Sequence, residues 1–159
     1  MTVEVHGILI AGFAATIVLT TFMSASQGLG FTRMSIPFLL GTIFTPSRDR
    51  AMVIGVAVHL VNGMLFALVY AAIFNQIGRS TIMLGAGMGF IQGAFVLTVG
   101  MVMLPGLHPQ MVSEYYGPTP NRLLQPPGFL ALHYGRGTPL VTMLAHVIYG
   151  AILGGLYRV

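Results

Sequence analysis

The sequence predicts an all-α integral membrane protein, built as a bundle of four transmembrane helices. The first observation is composition: 55% of the 159 residues are hydrophobic and only 6% are charged, which is unlike a soluble domain. The second is stretch length, because a helix needs roughly 20 apolar residues to cross a bilayer. Four stretches without acidic or basic residues meet or approach that length: about 7–27, 51–74, 81–104 and 140–157. They are too long and too continuously apolar for the alternating strands of an outer-membrane barrel.

The four stretches are expected to form a single membrane domain over residues 1–159. The first is interpreted as a retained helix and not as a cleaved signal peptide, because the segment before it contains Glu4 and no basic residue. The second and third are joined by "NQIGRS", in which Gly78 supplies a stop and Ser80 a cap. This short link predicts that the second and third helices are antiparallel neighbours.

Each long connection is expected to contain a short interfacial or re-entrant element. Between the first and second helices, "IPFLLGTIF" is apolar enough to lie at the membrane interface or to dip back into the protein, with Pro37 near its start. "TPSRDR" then starts the second helix, with Ser47 or Asp49 as its cap. The last connection is rich in proline and glycine, so it is long and irregular, as in a functional lid or a surface for a partner.

The two halves of the chain resemble each other. "GFAATIVLTTFM" is loosely echoed by "GAFVLTVGMVM", and "IPFLLGTIF" by "PPGFLALHY". The better match lies between "HLVNGMLFALVY" at residues 59–70 and "HVIYGAILGGLY" at residues 146–157. We therefore expect two duplicated helical hairpins, at about 7–75 and 81–158, related by a pseudo-twofold axis along the membrane normal.

Arginine accounts for all seven basic residues and indicates the orientation of the bundle. The two long loops contain all of the arginines except Arg79 and Arg158. This bias predicts that the long loops are cytoplasmic and that both termini are outside. The arginines occur singly, without the runs that track phosphates, so nucleic acid is not expected as a partner.

Histidine, glycine and tyrosine recur at matching positions in the second and fourth helices. The pairs are His59 with His146, Gly63 with Gly150, and Tyr70 with Tyr157. Their offsets of 0, 4 and 11 residues differ by only about 20 to 40° around a helix axis, so each set lies on one stripe. Both histidines lie roughly 9 to 12 Å inside the face that carries the long loops. The pseudo-twofold axis would point the two imidazoles at each other across the bundle.

This geometry predicts a haem site. Two imidazoles from facing helices are the axial ligands of a b-type haem, and helix bundles hold cofactors in this way. Gly63 and Gly150, one turn from each histidine, would let a porphyrin approach the backbone. The hypothesis is therefore a bis-histidine haem b, with its iron bound by His59 and His146, that transfers electrons or belongs to a membrane redox complex.

A second interpretation gives the same residues a structural role. Glycines four residues apart also allow membrane helices to pack closely, and a histidine there can hydrogen-bond the next helix. Side chains available for such a bond are Thr16, Thr20, Ser24, Gln27, Gln92 and Thr98. Tyr70 and Tyr157, near helix ends, are expected at the membrane interface. In this alternative the protein is a non-catalytic accessory subunit of a larger membrane complex or of a homo-oligomer.

Other chemistry has little support in the sequence. The chain contains no cysteine, which excludes disulfides, iron–sulfur clusters and thiolate metal sites. It has no phosphate loop, no "HExxH" and no nucleophile elbow, so a role other than enzyme is favoured. His108, Glu114 and His133 in the last loop are weak metal candidates, because their spacing matches no zinc pattern.

The whole pattern resembles a family of small bacterial inner-membrane proteins. The resemblance is carried by "GFAATIVLTTFM", "MSIPFLLGTIF", "TPSRDRAMVIGVAVHLVNGMLFALVYA" and "MLAHVIYGAILG". It implies four helices in the bacterial inner (cytoplasmic) membrane. It implies no activity, because that family is a domain of unknown function, and it transfers no functional residue.

Overall fold

The computed structural model of the protein describes residues 4–113, 117–120 and 122–159, and every regular element within those ranges is a helix. Four helical spans are long and apolar enough to cross a membrane: Val5–Gly28, Arg48–Ile77, Ile82–Leu107 and Thr138–Leu156. Each span corresponds to one predicted stretch, with ends that differ by a few residues. The prediction of an all-helical chain with four such spans is therefore confirmed.

The first span, α1 (Val5–Gly28), is followed by a six-residue helix, α2 (Ile36–Gly41). Ser35 caps α2, because its Oγ accepts a hydrogen bond from the backbone N–H of Phe38 at 3.4 Å. Pro37 lies in the first turn, where its missing N–H breaks no helical hydrogen bond. The stretch predicted to be interfacial or re-entrant thus contains a short helix, which packs against the second span.

The second span, α3 (Arg48–Ile77), extends beyond the predicted 51–74 at both ends. Its first turn includes the charged residues of "SRDR", and Ser47 precedes it as the N-cap. Gly78 ends it at φ 75°, in the left-handed conformation that favours glycine. A Cβ on Gly55 would lie 1.6 Å from the carbonyl oxygen of Pro37, so α2 and α3 touch backbone to backbone.

The third span is irregular. It consists of α4 (Ile82–Phe95), a π-helical segment (Val96–Gly100) and α5 (Met101–Leu107), which contains Pro105. A π-helix has wider turns than an α-helix, with i→i+5 hydrogen bonds, and short π segments are frequent at functional sites. The hydropathy of the sequence predicts the span but gives no indication of this segment.

The last connection leads into the fourth span, α6 (Thr138–Leu156), through a 3₁₀ segment (Phe129–Tyr134) that packs on it. Leu130 and Ala131 in this segment have φ values of 53° and 57°, a conformation that residues with side chains rarely adopt. The predicted short element in the second long loop is therefore a tight turn.

Helix packing gives the spans the order α3, α1, α6 and α4 around the bundle. α3 and α4 are joined by the tight turn at Gly78, but α3 packs mainly on α1 and α2, and α4 packs mainly on α6. They face each other across a gap. α4 and α6 touch through glycine backbones, since a Cβ on Gly85 would lie 2.0 Å from the carbonyl oxygen of Gly150. This close contact is the pattern expected where small residues bring membrane helices together.

Replacing Gly85 by alanine is expected to destabilise the bundle, because the added methyl collides with the backbone of α6. We expect Gly85→Ala to lower the free energy of unfolding by about 1–3 kcal/mol, as overpacking does. The matched control is Gly87→Ala in the same helix, where a Cβ meets nothing within 4 Å. Thermal unfolding in detergent, followed by circular dichroism, measures both variants. Equal melting temperatures for the two variants would contradict the close contact between α4 and α6.

Candidate histidine site

A cavity of about 310 Å³ lies among α1, α2, α3, the third span and α6. Both predicted histidines line it: His59 from α3 and His146 from α6. His146 is 8% exposed, and His59 is half-buried. The π segment contributes Val96 and Gly100 to the opposite wall. The structure thus brings the two histidines to one cavity.

The tautomer of His59 is fixed by Thr20. The two side chains meet with 3.0 Å between Nδ1 of His59 and Oγ1 of Thr20. The Thr20 hydroxyl donates its one proton to the carbonyl oxygen of Thr16 at 2.7 Å, so toward His59 it can only accept. Both hydrogen bonds form together when Nδ1 of His59 carries the proton, and this assignment leaves a lone pair on Nε2 of the neutral ring.

His146 reaches the same state by a different route. Its Nδ1 lies 2.8 Å from the carbonyl oxygen of Thr142, one turn earlier in α6. A carbonyl oxygen only accepts, so Nδ1 again carries the proton and Nε2 the lone pair. Within the part of the chain that the structure describes, neither Nε2 atom has a hydrogen-bond partner. Imidazoles that ligate metals usually have this arrangement, with the second nitrogen donating to an oxygen that orients the ring.

Further polar groups line the cavity beside the histidines. The Tyr70 hydroxyl donates to Oε1 of Gln92 at 2.8 Å, which leaves the amide N–H groups of Gln92 for another partner. Thr142 is 1% exposed, and its Oγ1 has no hydrogen-bond partner among the described residues. A buried hydroxyl without a partner costs free energy.

Gly63 and Gly150 contact neighbouring helices. The space beside Gly63 is filled by Thr16, whose Oγ1 would lie 1.9 Å from an added Cβ. The space beside Gly150 is filled by the backbone of Gly85 in α4. Gly63 also lines the cavity, and its carbonyl oxygen accepts a hydrogen bond from the Tyr149 hydroxyl. The room for a ligand therefore lies in the gap next to the π segment, and the packing faces of these glycines add none.

The tyrosines differ from their expected interfacial position. Tyr70 and Tyr157 are each 3% exposed, and the Tyr157 hydroxyl accepts a hydrogen bond from Nδ2 of Asn75 at 2.7 Å. The prediction that they contact the membrane interface is therefore wrong. Tyr149, which sequence spacing did not single out, packs edge-on against Tyr70 with ring centroids 5.7 Å apart. Its position three residues after His146 is the signal that places it on the same face of α6.

The loop histidines are engaged in local structure. Nε2 of His108 lies 2.9 Å from the carbonyl oxygen of Leu39, and its Nδ1 accepts the backbone N–H of Gln110 at 3.2 Å. Both ring nitrogens of His108 are thus occupied, and the residue fastens the last loop to α2. Nδ1 of His133 bonds the carbonyl oxygen of Pro126. Glu114 lies outside the described residues, which contain no group of three or more residues suited to a metal ion.

Comparison of the chain with protein-family models, with curated proteins and with solved structures finds no match. The geometry of the cavity and its two imidazoles is therefore the basis for any functional conclusion.

Thr20→Val is expected to change the tautomer of His59, because valine keeps the shape of threonine but cannot accept the Nδ1 proton. The ¹⁵N spectrum of histidine-labelled protein reports the protonation of each ring nitrogen. We expect the His59 signals to shift toward the Nε2-protonated form, while those of His146 stay unchanged. Thr21→Val is the control, since Thr21 is exposed and lies about 100° around α1 from Thr20. An unchanged His59 spectrum in Thr20→Val would contradict the assigned hydrogen bond.

Proposed function

We propose that this protein is a membrane haem protein in which His59 and His146 bind a b-type haem for electron transfer, alone or within a membrane redox complex. One observation carries the proposal: two imidazoles on different helices line the same cavity, and in each ring Nδ1 meets an oxygen while Nε2 has no hydrogen-bond partner among the described residues. Bis-histidine ligation uses this nitrogen on each ring. Bound haem would supply the one-electron chemistry, and the chain would supply the ligands and a dry pocket.

The surroundings of the cavity support this proposal. Thr20 and the carbonyl group of Thr142 orient the imidazoles, which raises their basicity as ligands. The volume of about 310 Å³ is at the lower end of the range for ligand pockets. The cavity also reaches Phe66 of α3 and Phe95 of α4, which are 38% and 52% exposed. A large flat ligand would therefore extend outward through the gap between α3 and the third span.

An accessory, non-catalytic role is the alternative, and a specific contact favours it. The bond between His59 and Thr20 joins α3 to α1, so this histidine already acts as an interhelical hydrogen-bonding group. Asn62 in the middle of α3 is exposed, and an amide at that depth is costly in lipid. A partner subunit or a further copy of this chain would cover it. In this alternative the cavity is a packing defect without a resident ligand.

The membrane arrangement is part of the proposal. We propose the bacterial inner membrane, as the family resemblance implies, with the long loops cytoplasmic and both termini outside, as the arginine bias indicates. The duplication of two hairpins is supported by the short elements, since α2 packs on α3 as the 3₁₀ segment packs on α6. Lipid is the immediate partner, and a homo-oligomer or a larger complex is the assembly that we expect.

The visible spectrum of protein purified from haem-supplemented cells tests the proposal. We expect a Soret band with sharp bands on reduction, and we expect His59→Ala and His146→Ala each to lose the reduced low-spin spectrum, because each variant removes one axial ligand. His6→Ala is the control, since His6 is exposed at the start of α1. Circular dichroism establishes that each variant is folded.

Two results would overturn the haem proposal. A colourless, folded wild-type preparation from cells supplied with haem would favour the accessory role. A metal found by elemental analysis without haem absorption would exclude haem as the ligand of these histidines.

A further inference from the structure

A second cavity, of about 270 Å³, lies at the end of the bundle that carries the long loops. We call it the loop-side basin. The polar residues that line it are Gln27, Arg33, Ser35, Arg48, Gln125 and Tyr134. They come from the end of α1, the start of α3 and both long loops. The basin is separate from the histidine cavity and goes beyond the proposed function.

Two guanidinium groups give the basin a positive charge. Nη2 of Arg33 donates to the carbonyl oxygen of His133, which holds the side chain across the two loops. The guanidinium of Arg48 lies 6.0 Å from the centroid of the Phe38 ring, within the range of a cation–π contact. Among the described residues, no carboxylate forms an ion pair with either arginine, although Asp49 is next to Arg48 in the chain.

The helix end and the neutral hydroxyl groups beside the two arginines also define the basin. The first turn of α3 borders the basin through Arg48 and Met52. Asp49 in the same turn offsets the partial positive charge of this helix end, so the charge of the basin comes from the two guanidinium groups. The Ser35 hydroxyl has only the distant sulfur of Met52 as its acceptor, at 3.9 Å. Burial raises the pKa of Tyr134 to about 12, so its hydroxyl stays neutral, and it donates its one proton to the carbonyl oxygen of Gln125 at 2.6 Å. Tyr134 therefore adds neither a negative charge nor a free donor to the basin.

We propose that the loop-side basin binds the phosphate group of an anionic phospholipid. Arginine recognises phosphate through paired, charge-assisted hydrogen bonds, and basic pockets at the ends of transmembrane helices bind lipid headgroups. The surface of α3 below the basin favours lipid over free phosphate. Met52, Val53 and Val56 are 39%, 73% and 36% exposed there, and they offer an apolar surface for the acyl chains.

The test is a titration of delipidated protein in neutral detergent with phosphatidylglycerol, measured by native mass spectrometry. Phosphatidylcholine and inorganic phosphate are titrated in parallel. Replacement of both arginines, Arg33→Gln with Arg48→Gln, is expected to weaken phosphatidylglycerol binding roughly 30-fold. This is the loss expected when two basic residues each lose the attraction that is typical near an anionic membrane surface. Arg48→Gln alone removes one positive charge from the basin and, within the protein, breaks the contact with Phe38. It is expected to weaken phosphatidylglycerol binding about fivefold.

The matched control replaces the two arginines at the other end of the bundle, Arg79→Gln with Arg158→Gln. It changes the net charge equally and is expected to leave the affinity unchanged. Equal affinities of the wild type and the Arg33/Arg48 variant would overturn the proposal. Equal binding of phosphatidylcholine would overturn the role of the headgroup charge, and inorganic phosphate binding as tightly as phosphatidylglycerol would overturn the assignment to lipid.

Discussion

Close backbone contact between helices is the constraint on which the rest of the structure depends. Lipid gives no hydrophobic drive for helices to associate, so small residues that permit tight packing decide which helices pair. Gly85 and Gly150 bring α4 against α6, and Gly63 brings α3 against α1. Since the outer helices pack mainly on α1 and α6, α3 and the third span pack little against each other, and the hydrogen bond from the Tyr70 hydroxyl to Gln92 crosses between them. The cavity is the space that this pairing leaves.

Within the cavity, threonines decide what the histidines can do. The Thr20 hydroxyl donates its proton to a carbonyl oxygen of its own helix, and His146 contacts Thr142 through the carbonyl oxygen of Thr142. Both rings are therefore left with the same nitrogen unprotonated, although one bond crosses between helices and the other stays within α6. The two halves of the site reach one chemical state by different local routes. That state suits a metal ligand.

Hydropathy predicts the four spans because length and absence of charge are properties of each segment alone. The spacing of His59 and His146 predicts their faces and depth, and both residues do line one cavity. The packing role of Gly63 and Gly150 does not follow from the same spacing. Spacing shows which face of its own helix a glycine occupies, but it does not show which neighbouring helix packs against that face. The π segment has no hydropathy signature. The burial of Tyr70 and Tyr157 depends on hydrogen-bond partners elsewhere in the chain. Gln92 accepts from the Tyr70 hydroxyl, and Asn75 donates to the Tyr157 hydroxyl.

The gap between α3 and the third span also determines how a ligand would reach the site. Phe66 and Phe95 at its edge are exposed on the outer surface of the bundle, so in a bilayer the entrance would face the hydrocarbon. Supply then depends on how strongly a molecule partitions into the bilayer, where lateral diffusion delivers it. A ligand that is scarce in water but concentrated in the membrane would fill the cavity more readily than one confined to water.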